Sequence, residues 1–171
     1  MNLLRGEANT MRRLHQQHGQ AAVEFILIFP FMLMLLLFIV EFGFILHAYI
    51  SVVESAAAGA RFAAVGNPPA AGSCTANDGT IQGRSVAVSS NTVACADVVV
   101  RYQPATPVAR GDIVAVKVNK TYTTVTPIGG ILTFLSLGTF PGTLAMNSCF
   151  DARLEQGPTV QTNVVVGAGC P

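Results

Sequence analysis

Tryptophan is absent from this chain of 171 residues, and charge is scarce: Asp, Glu, Lys and Arg make up 11% of it, against about 25% in an ordinary soluble domain. With so few charges and a net charge of +1, the chain has no basic surface to offer a nucleic acid. Catalytic signatures are missing as well. There is no Gly-rich phosphate loop and no G-x-S-x-G elbow. The histidines are His15, His18 and His47; an apolar run separates the first two from the third, so they do not make one site. None of the four cysteines stands in a C-x-x-C pair, which weakens zinc and dithiol readings. Residues 66–171 hold few acids: Asp78, Asp97, Asp112, Asp151 and Glu155. Asp151 and Glu155 are close in sequence, but without a positioned partner they read as solvated surface. The expectation is a protein that is not an enzyme and needs neither metal nor cofactor.

What is abundant is apolar. Residues 19–40 read GQAAVEFILIFPFMLMLLLFIV. From Ala21 to Val40, 20 residues are interrupted only by Glu24 and Pro30, and about 20 apolar residues span a bilayer as a helix. Pro30 removes one N–H and bends a helix slightly, which a membrane helix tolerates. A buried core helix is the alternative, and the run is too long and too pure for it. Residues 1–19 carry Arg5, Arg12 and Arg13 against Glu7, and the next basic residue after the span is Arg61. The positive-inside rule then keeps the N-terminus cytoplasmic and exports the rest. A cleaved secretory signal competes, but it wants a shorter apolar core and small residues close behind it. Here the first such cluster, Ala56–Ala58, comes well after Val40. A carboxylate inside a membrane helix costs about 2.5–3.5 kcal/mol on insertion scales, so Glu24 asks for a reason.

Nothing stops the helix at Val40. Phe42, Ile45, Leu46, Tyr49, Ile50 and Val53 fall on one helical face, with His47, Ser51 and Glu54 on another. Ala56, Ala57, Ala60 and Ala64 extend the pattern until Gly66-Asn67-Pro68-Pro69 breaks it. A helix over 20–65 is roughly 70 Å long. Its second half offers an apolar stripe to a small domain behind it or to neighbouring copies. Residues 66–83 read as a loop, after which the period changes to two: Val114, Val116 and Val118 alternate with Ala115, Lys117 and Asn119 in a strand over 112–122. Further strand candidates are 85–89, 92–102, 143–153 and 160–166, giving a small α+β unit. The apolar segment 127–140 is expected to pack under the sheet; contact with the membrane or a neighbour is the alternative. Cys74, Cys95, Cys149 and Cys170 all follow the span, and an even count on an exported side suggests disulfides. Three pairings are open. Pairing 74–95 and 149–170 is favoured, each a loop of about twenty residues worth about 3 kcal/mol, while 95–149 would staple two candidate strands.

The segment Gly19-Gln20-Ala21-Ala22-Val23-Glu24-Phe25 resembles the opening of TadE-like proteins, pseudopilins or minor pilins of the tight-adherence (Flp, type IV) pilus system. The similarity continues through Pro30, Glu41-Phe42-Gly43 and Gly59-Ala60-Arg61, and loosely through 112–122 and 151–155. It implies a pilin-like fold, in which a long N-terminal transmembrane helix continues into a small antiparallel β-sheet domain. Together with the breaker and the change of period, it gives a division into a leader (1–19), the helix (20–65), a loop (66–83) and an exported β-rich domain (84–171). A prepilin peptidase of the inner membrane is expected to cut between Gly19 and Gln20. Glu24, with Phe25 beside it, would then meet the new N-terminal amine of another pilin or pseudopilin subunit as the pilus machinery assembles it. The alternatives are that Glu24 is solvated at the membrane surface, and that the protein stays uncleaved as a single-pass anchored assembly or adhesion factor.

Overall fold

A computed structural model describes residues 3–90, 92–103, 107–135, 138, 142–159 and 165–170. One helix dominates it, α1 (Leu3–Ala64). It runs without interruption through Pro30 and ends where the sequence breaks. Gly66 takes a left-handed φ of +84°, its N–H donates to Ala63 O at 2.9 Å, and Asn67 Nδ2 caps Phe62 O at 2.9 Å.

The remaining elements are α2 (Ile81–Val88), a 3₁₀ turn (Cys95–Asp97), β1 (Val98–Gln103), β2 (Ile113–Thr123), α3 (Ile128–Leu135) and β3 (Thr143–Arg153). The strands form one antiparallel sheet in the order β1-β2-β3, with Val100 opposite Val116 and Val116 opposite Phe150. The fold is α+β: an apolar N-terminal helix followed by a small antiparallel sheet. Val114, Val116 and Val118 point from β2 into a core shared with Val52, Ala56, Ala60 and Ala63 of α1, Ile81 of α2, and Tyr102, Met146 and Leu154. Each buried valine contributes about 1.5–3 kcal/mol.

The face of α1 that the domain covers is not the stripe of large residues. Ala48, Ser51, Val52, Ser55, Ala56, Gly59, Ala60 and Ala63 are buried, whereas Phe42, Leu46, Tyr49 and Ile50 are about half exposed or more. Ile45 alone of the large residues at this end packs on the core. Small side chains win because sheet and α2 both press close to the helix backbone. At Gly59 a Cβ would run into Ser85 Oγ and stand 3.0 Å from Val116 Cγ1. Ser55 Oγ donates to Ser85 O at 2.5 Å across the same contact.

Several expectations are corrected. Residues 85–89 belong to α2 and its cap rather than to a strand, so the loop after α1 ends at Thr80. Thr80 Oγ1 caps the helix by accepting Gly83 N at 3.0 Å, and Ser85 Oγ and Ser89 Oγ bond back to Ile81 O and Val86 O. A five-residue alternation is too short to separate strand from helix. The strand sought at 92–102 starts only at Val98. Of 160–166, residues 160–164 lie outside the described residues, and Val166 makes a single parallel bridge to Tyr102. Of segment 127–140, residues 136, 137, 139 and 140 lie outside the described residues, and the described part does not lie under the sheet. The β2–β3 ladder continues to Thr123–Thr143, so the connection begins beyond the sheet's end, where residues 128–135 form α3 against α1.

The direction of β2 fixes where that end lies. Val116 sits against Gly59 and Tyr122 against Glu41, so β2 descends along α1 toward its apolar half. Strand β3 climbs back, and Glu155 N donates to Ala64 O at 2.7 Å. Disulfides join Cys74 to Cys95 and Cys149 to Cys170, with Cα separations of 5.8 and 5.6 Å.

Candidate assembly and processing segment

Gly19 and Gln20 lie inside α1, not at its end. A Cβ at Gly19 would meet nothing within 4 Å, so packing does not demand a glycine here. Its physical effect is on the backbone: glycine weakens a helix by about 1 kcal/mol relative to alanine, which makes this a place where α1 opens more readily. From Gly19 to Leu33 every residue is exposed. Glu24 Oε1 accepts Gln20 Nε2 at 3.3 Å, one turn back on the same helix. Among the described residues no cation pairs with Glu24; the ion pair there is Lys120–Asp97 at 3.2 Å, on the domain. Phe25 sits beside Phe29, ring centroids 5.6 Å apart, and continues the uncovered apolar surface. The structure therefore keeps Gly19, Gln20, Glu24 and Phe25 together on two turns of one helix and brings no other element to them among the described residues.

A second acid on α1 is handled in the opposite way. Glu41 is 4% exposed. Its Oε1 accepts Tyr122 Oη at 2.9 Å and Val125 N at 3.2 Å, and its Oε2 accepts Thr126 N at 2.9 Å. Three donors satisfy a carboxylate that is acceptor-only, with no cation involved. Burial, aided by the Glu41 carboxylate, pushes the Tyr122 hydroxyl up to about 12, so it stays a donor at physiological pH. Glu41 thus moors the membrane-side end of the sheet to α1. Residues 19–61 match the TadE-like protein family. No curated protein and no solved structure matches the chain.

The TadE-like segment covers about a quarter of the chain and lies wholly on α1. It begins at Gly19, contains both Glu24 and Glu41, and stops before the sheet. The helix that carries the match is also long and apolar enough to cross a membrane, as a single-pass protein requires.

Sequence reasoning reached Glu24 because an acid within an apolar run is conspicuous. It noted Glu41 only as part of the resemblance and missed its partners, which lie 81 to 85 positions away and carry no local signal. The cysteines and Asp151 make a further cluster. Asp151 Oδ1 accepts Cys170 N at 3.1 Å beside the Cys149–Cys170 bond. Both sulfurs are bonded to each other, so the trio of Cys149, Asp151 and Cys170 offers a metal only one free ligand group.

Proposed function

We propose that this chain is a pilin-like structural subunit, a minor pilin or pseudopilin, rather than an enzyme. It is anchored in the inner membrane with a cytoplasmic N-terminus, is cut after Gly19 by a prepilin peptidase, and assembles with other pilin or pseudopilin subunits of a tight-adherence pilus. One observation carries the reading: the helix that holds Glu24 is uncovered on all sides from Gly19 to Leu33, and among the described residues no cation reaches that acid. Cleavage would create an ammonium on Gln20 in or near lipid. Each charge alone is costly there, and pairing removes most of the cost. Glu24 of one subunit meeting Gln20 of the next would set the axial register. The exposed Phe42, Leu46, Tyr49 and Ile50 extend the helical contact surface above the membrane.

The test is the intact mass of the membrane-extracted protein, with and without a co-expressed prepilin peptidase. Loss of residues 1–19, abolished by substituting Gly19, is the expected result. A second reading rests on a different observation: α1 runs unbroken back through Gly19 to Leu3, with no pre-formed loop for a protease. On that reading the protein stays whole, as a single-pass anchored assembly or adhesion factor. An unchanged mass beside a peptidase that processes a control substrate would decide for it.

A further inference from the structure

The β2–β3 connection stands at a height that α1 sets. If Ala21–Val40 spans the bilayer, Glu41 marks the outer boundary, and Glu41 holds the backbone of Val125 and Thr126. The connection therefore leaves the sheet at the membrane surface. Four observations carry it further. From Gly19 to Val40 every residue is exposed except Met34 and Leu37, which are half-buried. These two stand one and two turns below Glu41 on its own face, and α3 packs on α1. Met34 is about 10 Å below Glu41 along the axis at 1.5 Å per residue. Residues 121–150 contain no Asp, Glu, Lys, Arg or His. Finally, the residues this connection turns outward are apolar: Phe134 is 84% exposed and Val125 68%, with Ile131 at 38%.

We infer that α3 and residues 124–127 leading into it are a membrane-embedded wedge, lying beside α1 in the outer half of the bilayer, with Phe134 and Ile131 in contact with acyl chains. Interfacial helices bury about 5–10 Å into the headgroup–acyl boundary, and half-buried Leu37 and Met34 lie within that depth below Glu41. Backbone N–H groups entering lipid must find acceptors within the protein. The Glu41 carboxylate supplies them to Val125 and Thr126 at the point of entry. Gly129 permits the tight turn before α3, since a side chain there would run into Thr124. The domain is then fastened to the membrane at two points, the span and the wedge, and its orientation about α1 is fixed relative to the bilayer.

This inference rests on reading Ala21–Val40 as the span, and the experiment separates the two. The chain has no tryptophan, so single replacements report alone. Phe134→Trp, Phe31→Trp and Tyr49→Trp are each made in the full chain and reconstituted in phosphatidylcholine–phosphatidylglycerol vesicles, with or without a mixture of lipids brominated near the top and near the end of their acyl chains. Phe134 is exposed, so its replacement disturbs no packing. The expected result is a blue-shifted Phe134→Trp emission that loses most of its intensity to brominated lipid, as Phe31→Trp does and Tyr49→Trp does not. Quenching of Phe31→Trp without quenching of Phe134→Trp overturns the wedge and leaves the span intact. A blue shift at Phe134→Trp without bromine quenching means that protein, such as a second copy, covers α3, and also overturns it. Absence of quenching at Phe31→Trp removes the span and the wedge together. Equal quenching at Tyr49→Trp removes the depth assignment and with it the proposal.

Discussion

Replacing Glu41 with alanine tests the mooring of the sheet to the helix. The carboxylate accepts three hydrogen bonds, from Tyr122 Oη, Val125 N and Thr126 N. Removing it leaves those donors without an acceptor. An unsatisfied buried donor costs about 1–3 kcal/mol. The Tyr122 hydroxyl can rotate toward solvent, so two backbone N–H groups carry the penalty, and the expected loss is about 3 kcal/mol, or roughly a hundredfold in the folding equilibrium. Glu41→Gln keeps one acceptor oxygen but turns an NH₂ toward a donor, and should lose about half as much. Tyr122→Phe removes a single bond and should cost about 1 kcal/mol. The assay is urea unfolding of the detergent-solubilised chain followed by near-ultraviolet circular dichroism, which reports tyrosine packing; Tyr102 is fully buried in the core. If Glu41→Ala costs less than Tyr122→Phe, the carboxylate is not the mooring point and the reasoning fails.

Other outcomes follow from the same geometry. Gly59→Leu should destabilise the domain by about 1–3 kcal/mol through overpacking, because Ser85 and Val116 occupy the space, and should expose 67–80 to limited proteolysis. Replacing Cys74 and Cys95 with serine opens a loop with a sequence separation of 21 and should cost about 3 kcal/mol in the same unfolding assay. Partial burial acts to raise the Asp78 carboxyl, but hydrogen bonds from Thr80 and Thr75 outweigh it and hold the group below its usual 3.8. A depressed carboxyl contributes stability above its unfolded value and loses it as pH falls through the folded one. Acid titration of Asp78→Asn should therefore show a smaller drop below about pH 4 than the parent. Glu24→Gln should leave the unfolding midpoint of the domain unchanged, since among the described residues Glu24 bonds to Gln20 on its own helix, and on the proposed reading it should abolish incorporation into pili.

Periodicity made α1 legible because it is long, and its stop was legible because Gly66-Asn67-Pro68-Pro69 is strong punctuation. Strand β2 was legible because three valines alternate over a run long enough to exclude a helix. The buried face of α1 was not. Hydropathy ranks Phe42, Leu46 and Tyr49 above Ala56, Ser55 and Gly59, whereas close packing of a sheet against a helix selects for size. Helix α2 was missed because its decisive features, the Thr80 cap and the contact of Ser85 with Ser55, are respectively a single residue and a pairing 30 positions apart. Of the candidate site, Gly19 to Phe25 could be read locally. The partners of Glu41 could not, because they are a property of how β2 descends along α1.

The two acids of the TadE-like segment divide the work of that helix. Glu24 and Glu41 are 17 residues apart, about 25 Å along the axis, close to the roughly 30 Å thickness of a hydrocarbon core. If Ala21–Val40 spans the bilayer, they stand near its opposite faces. The chain's own domain fully satisfies Glu41, so the height of the sheet above the membrane is fixed within the subunit. Among the described residues Glu24 bonds to one neutral neighbour on its own helix, which on the proposed reading directs its demand for a cation outward. On the proposed reading, pairing Glu24 with the next subunit's Gln20 amine sets the axial step between helices, and the Glu41 mooring transmits that step to the domains without slack. A domain free to slide on α1 would blur the register that Glu24 sets. On that reading the buried acid and the exposed one are two halves of one device: one makes the subunit rigid, and the other uses that rigidity to count.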